Sequence, residues 1–125
     1  MIDRFFTPSQ ANQTLPLVKG IVEDIIAKAG QARRLMTQGE ITPEHEDRLK
    51  ALDQDIKGLM KRLEEIGCYY KDWNFEIGLV DFPAIIHGQE ALLCWRSDEP
   101  EVAWFHGLQD GYAGRHPITK ELIFS

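Results

Sequence analysis

The chain has 125 residues, 43% hydrophobic and 27% charged, the composition of one globular domain with its own core and not of a disordered or membrane-embedded chain. Its 14 Lys and Arg against 20 Asp and Glu give a formal net charge of −6. The short basic pairs Arg33-Arg34 and Lys61-Arg62 lie in mixed-charge stretches, so a nucleic-acid backbone reader, which needs a basic stripe, is not expected.

The first element is announced by Thr7-Pro8-Ser9-Gln10. Thr7 can cap a helix, Pro8 suits its first position, and Gln10 can close a capping box. Pro16 is expected to kink this helix or to split it into a short leader and a long body. Leu15, Val18, Val22, Ile25, Ala29, Ala32 and Met36 then follow at alternating steps of three and four, a heptad seam. After a loop at 38–41, Thr42-Pro43 opens a second helix with Leu49, Leu52, Ile56, Leu59, Leu63 and Ile66 at the same steps. Gly67 stands where a left-handed C-terminal cap belongs. Two seams of similar length joined by a short loop predict an antiparallel helical hairpin, roughly 35 Å long at 1.5 Å per residue.

From Cys68 the period changes. Cys68 to Trp73 is aromatic and extended, and 74–78 reads as a connection. Phe82 to Ile86 and Gln89 to Arg96 flank His87-Gly88, a two-residue hairpin turn, with Pro83 confined to a strand start or an edge. A second turn, Ser97-Asp98-Glu99-Pro100, leads to Glu101 to His106, making a three-stranded antiparallel meander. With turns of two and four residues, Ala84 faces Ala91, Arg96 faces Glu101 and Cys94 faces Ala103. One face then holds Phe82, Ala84, Ile86, Ala91, Leu93, Trp95, Val102, Trp104 and His106, and is expected to pack on the helices. The other holds Asp81, Ile85, Glu90, Leu92, Cys94, Arg96, Glu101 and Phe105. Gly107 to Pro117 is a glycine-rich loop, and Ile118 to Phe124 is either a last edge strand or a short helical turn. The expectation is a single α+β domain over residues 1–125: a helical hairpin over 1–67 packed on a small antiparallel sheet and loop over 68–125.

The blocks FFTPSQANQTLPLV, GLVDFP, LLCWR, EPEVAWFH and GYAGRHPI, in that order, resemble the bacterial domain of unknown function 2203 family over essentially the whole chain. Members of that family usually carry acidic residues where Ser9 and Gln10 stand here. They are sometimes labelled cell-division or DivIVA-like proteins, a label matching generic helical heptads. The resemblance implies a fold and a family, with no activity and no catalytic residues to carry over.

Candidate chemistry gathers near the C-terminal loop. His106, Asp110 and His116 could hold a divalent metal, with His87, Asp81 and Cys94 near, although their spacing matches no closed zinc signature and no cofactor is predicted. The bland alternative is that these side chains only cap the core and the turns. Arg115 after Gly111-Tyr112-Ala113-Gly114 could hold a carboxylate or phosphate, or pair with a structural carboxylate such as Asp81 or Asp110. Glu90 and Glu101 could form an acid–base pair, but an ordinary cross-strand ion pair between Arg96 and Glu101 reads better; Cys94 reads as a buried thiol, and Trp95 and Trp104 as core.

Two functions compete. The leading one is an assembly or partner-binding protein without chemistry of its own, a homodimer, because two long seams and a second, partly apolar sheet face offer more apolar surface than a monomer of this size easily covers. The other is a small-molecule- or metal-dependent enzyme with a pocket lined by Asp81, Trp104, His106, Asp110, Arg115 and His116. Whether the chain is an enzyme is left open. Neither Cys68 nor Cys94 belongs to a CxxC pattern. No run of about 18 apolar residues occurs. The N-terminus opens directly into a helix cap, without a targeting peptide. Together these point to a reduced cytoplasmic setting, without membrane contact.

Overall fold

The computed structural model describes residues 4–72 and 77–119. Trp73 and most of the connection after it, and all but the first two residues of the expected segment from Ile118 to Phe124, lie outside the described residues. Helix α1 spans Pro8–Met36 and α2 spans Pro43–Ile66. Thr7 caps α1 with the full capping box, its hydroxyl accepting from Gln10 N and the Gln10 side chain accepting from Thr7 N. Thr42 caps α2 in the same way, with the His45 ring taking the place of the usual Glu or Gln. Gly67 ends α2 at φ 111°, the left-handed conformation that suits glycine.

α1 is not split at Pro16: it runs through the proline as one helix, which there lacks one N–H donor. Lys28 reaches Asp55 and Gln31 accepts from Arg48, pairings that converge on the loop and so run the two helices antiparallel. The seams are buried unequally. Leu15, Val18, Val22, Ile25 and Ala29 are buried with Ile21, whereas in α2 only Leu52 and Leu63 are, and Met36 is exposed. α1 is the central helix because the sheet as well as α2 covers it.

The sheet has five strands, not three. They are β1 Tyr69–Tyr70, β2 Leu79–Ile86, β3 Gln89–Arg96, β4 Trp104–Gly107 and β5 His116–Pro117, antiparallel and in sequence order. The two additional strands are two-residue pairings at the edges, too short for an alternating pattern to register. β5 lies within the segment expected to be loop. The β2–β3 hairpin has the predicted register, Ile86 opposite Gln89 and Ala84 opposite Ala91. Both turn residues have positive φ, His87 at 52° and Gly88 at 77°, as a type I′ turn requires. Pro83 sits in mid-strand, past the end of β1. Its carbonyl accepts from Phe6 N, so its missing N–H points to the same side, away from β3.

The next pairing is one residue out from the expected register: Cys94 faces Trp104, not Ala103, and Leu92 faces His106. The cause is the connection over residues 97–103. Glu99 folds back on the end of β3, donating from its N–H to Arg96 O and accepting the Arg96 N–H at its carboxylate, while its own carbonyl accepts from the Trp95 indole. Asn12 of α1 then binds the Val102 backbone twice, at 2.7 and 3.1 Å. Val102 is thereby held against the helix, and the chain rejoins the ladder at Trp104 in the opposite phase. A one-residue shift moves every side chain of a strand to the other face. Trp104 and His106 therefore leave the helix side and Phe105 joins it. Arg96 is not opposite Glu101; it pairs with Asp98.

The core lies between the sheet and α1. Val80, Phe82, Ala84, Ile86, Ala91, Leu93 and Trp95 pack with Leu15, Val18, Ile21, Val22 and Ile25, and Phe6 meets Phe82 edge-on. A Cβ at Gly78 would run into the Val22 side chain, so only glycine admits this approach of the β2 entry to the helix.

Candidate functional site

The second face of the sheet is roofed by the segment after β4. Asp110 tethers that segment, accepting from Gly107 N at its carboxylate and donating from its own N–H to Gly107 O. A 3-10 turn at Tyr112–Gly114 follows. Below it lies a cavity of 260 Å³ with Asp81, Cys94 and His106 on its floor, Leu79 and Leu92 as walls, and Lys71, Leu108, Gly111 and Tyr112 around the rim. The floor residues are buried, at 5%, 1% and 3% exposure.

Asp81 of β2 and Cys94 of β3 are directly opposite in the ladder, and His106 stands one strand further on, opposite Leu92. The His106 ring sits between two acceptors: Nδ1 is 2.7 Å from Gly107 O, and Nε2 is 3.2 Å from Asp81 Oδ1. A carbonyl can only accept, so Nδ1 carries the hydrogen and Nε2 faces the Asp81 carboxyl. Burial raises Asp81 above the usual carboxylate range, against the opposing pull of His106, Lys71 and Cys94. Burial, with Asp81 adding to it, pushes the Cys94 thiol up to about 12, so it stays protonated and hydrogen-bonds to Asp81. Without a further cation in the site this thiol is not a nucleophile. Cys68 is likewise pushed up to about 12 by burial and lies in the core.

The other residues singled out from sequence occupy separate places. Arg115 donates from Nη2 to Glu99 Oε1 at 2.8 Å and to Cys94 O at 3.1 Å, and its guanidinium lies 4.7 Å from the ring centroids of both Trp104 and Tyr112. Its carboxylate partner is Glu99, not Asp81 or Asp110. These bonds clamp the 3-10 turn to the end of β3. His116 is exposed, beside the Phe105 ring and opposite Phe105 in the ladder, hence on the other side of the sheet from His106. His87 is in the hairpin turn, Glu90 is at the exposed start of β3, and Glu101 is in the connection. Of the six residues predicted for a pocket, Asp81 and His106 come together, joined by Cys94. Trp104, Asp110 and Arg115 hold the roof.

Sequence reading missed Lys71, Leu79, Leu92, Leu108 and Tyr112 as lining, and Glu99 as the partner of Arg115. For Leu92 the signal was present, since it shares the parity of Cys94 along β3. For Leu108 and Tyr112 the glycine-rich loop over 107–117 pointed to the region but not to the residues, because docking of a short segment across a sheet leaves no periodic mark.

The sequence profile of a family described as an uncharacterized conserved protein, DUF2203, matches residues 4–118. No curated protein and no solved structure gives a match to the chain. No helix among the described residues is long and apolar enough to cross a membrane. With nearly its whole length matched, and with the antiparallel sheet and two helices described above, the chain belongs to the DUF2203 family.

Proposed function

We propose that the chain binds a small molecule in the cavity between the second sheet face and the 107–114 segment. The observation that carries this reading is the position of the Asp81–His106 pair. Two ionisable groups removed from water are costly unless paired or used, and here they form the floor of a cavity that a larger roof side chain could have filled. At 260 Å³ the cavity is below the range of about 300–1,000 Å³ typical of drug-sized ligands. It suits a compact ligand with an apolar body against Leu79, Leu92 and Leu108. A polar end would meet Asp81 and His106, and an anionic group would be drawn to Lys71.

The test uses chelator-treated protein and a set of small aliphatic and aromatic carboxylates as probes, followed by amide NMR shifts. Binding should move the signals of Leu108, Gly111, Tyr112 and Leu92 together. Leu108→Trp, placed on an exposed roof residue, should fill the cavity and weaken that binding at least tenfold. Shifts scattered over the surface, or binding indifferent to Leu108→Trp, would refute it.

The competing reading is a cytoplasmic homodimer acting by assembly, without chemistry of its own. It drew on two long seams and an open second sheet face, of which Asp81, Leu92 and Cys94 now line the cavity. What still supports it is the pair Phe5 and Ile85, 38% and 49% exposed, beside an apolar groove at the hairpin end. Sedimentation at tens of micromolar separates the two: a dimer lost in Ile85→Lys favours assembly, and a monomer removes its basis.

A further inference from the structure

Resting on that cavity, but on atoms of its floor alone, the geometry points to a divalent transition-metal site formed by Asp81, Cys94 and His106, with its fourth coordination position facing the cavity.

Three lines converge on it. The ligand atoms of the three side chains all lie within 4.8 Å of one another. Zinc bonds of about 2.0–2.3 Å place tetrahedral ligands roughly 3.3–3.6 Å apart. His106 Nε2 and Asp81 Oδ1 already stand at 3.2 Å, and the Cys94 sulfur lies within 4.8 Å of both. The second line is the outer contact. His106 Nδ1 donates to Gly107 O, which fixes the tautomer and turns the Nε2 lone pair inward, the arrangement that metal-bound imidazoles adopt. The third is placement and charge. The three residues come from three neighbouring strands, so paired backbone and not a loop holds their spacing. Metal binding releases the Cys94 thiol proton to solvent; the resulting thiolate, the Asp81 carboxylate and a dication then sum to zero, which suits a site closed to water on all sides but one.

One sulfur, one nitrogen and one oxygen donor favour Zn²⁺ over Mg²⁺ or Ca²⁺, which take oxygen ligands. Three protein ligands leave a fourth position, as in zinc sites that bind water or substrate and unlike closed structural ones. The ligand there would be water or the oxygen or anionic end of a small molecule, with Lys71 at the rim favouring the anion. Of the His106, Asp110 and His116 trio named from sequence spacing this set keeps only His106; Asp81 and Cys94 were named there as neighbours.

The experiment is titration of the chelator-treated, metal-free full chain with Co²⁺. The expected result is one equivalent bound, with the visible bands of tetrahedral cobalt and a near-ultraviolet thiolate-to-cobalt charge-transfer band. Azide should shift the visible bands. Cys94→Ser should remove the charge-transfer band, and Asp81→Asn and His106→Ala should each weaken binding at least tenfold. Asp110→Ala, His116→Ala and Cys68→Ser should leave the spectrum unchanged. If Cys94→Ser does not fold by circular dichroism, the wild-type charge-transfer band together with its persistence in Cys68→Ser decides the question. No uptake at micromolar Co²⁺, an octahedral spectrum, or a spectrum without the charge-transfer band overturns the site. A spectrum that azide leaves unchanged overturns its open position. The carboxylate probes are read on metal-free protein, so either result can fail without the other.

Discussion

Asp81 is the residue on which the second sheet face turns. Burial raises it, and His106, Lys71 and Cys94 only partly offset that rise. The folded chain therefore holds this proton more tightly than the unfolded chain does. That contribution is fully present below the ordinary carboxylate value and is lost as pH rises through the raised folded value. In urea unfolding of metal-free protein from about pH 4 to about pH 8, wild type should lose stability relative to Asp81→Asn as pH rises. Parallel pH profiles would show that the carboxyl is not held protonated by burial. Arg115 makes a different prediction. Its two hydrogen bonds and two aromatic contacts depend on the flat guanidinium, so Arg115→Lys should cost about 1–3 kcal/mol by denaturant unfolding. Unchanged stability in that variant would free Arg115 for the anion-binding role its glycine-flanked position first suggested.

At the level of elements, the connection over 97–103 decides which side chains reach the cavity. Asn12 fastens Val102 to α1 with two bonds, and Asn12→Ala should cost about 2 kcal/mol and loosen the start of β4, seen as faster amide exchange at Val102 and Trp104. Gly78→Ala should cost about 1–3 kcal/mol because the added methyl meets Val22; a stability equal to wild type would mean that the β2 entry and α1 are further apart. Both helices, their caps and the β2–β3 hairpin were legible in the sequence, because heptads, Thr-Pro starts and a His-Gly turn are local signals. The phase of β4 was not. It depends on Glu99 and Asn12, one a short-range fold-back and the other a partner 90 residues away in the chain. The candidate site suffered accordingly. Asp81 and His106 were named as candidates, but the expected register set them on opposite faces. Short edge strands and a docked roof segment carry no periodicity at all: Cys68 to Trp73 read as extended and 107–117 as the loop where function gathers, but the pairings of β1 and β5 and the docking of Leu108 and Tyr112 could not be placed.

At the scale of the whole molecule, α1 is the shared surface: α2 covers part of it and the sheet another part, and the core cluster draws from all three. Helices and sheet are therefore expected to unfold together. Far-ultraviolet circular dichroism, which follows the helices, and the fluorescence of a Trp73→Phe, Trp104→Phe variant, which follows buried Trp95 on β3, should give coincident urea transitions; separate midpoints would mean two independent cores. The functional reading rests on one long-range feature, the pairing of β4 with β3 in the phase that sets His106 beside Asp81. Cross-strand nuclear Overhauser contacts measure that phase directly. Contacts pairing Leu92 with His106 and Cys94 with Trp104 are expected. Contacts pairing Cys94 with Ala103 would return His106 to the helix side of the sheet and contradict both the pocket floor and the metal site.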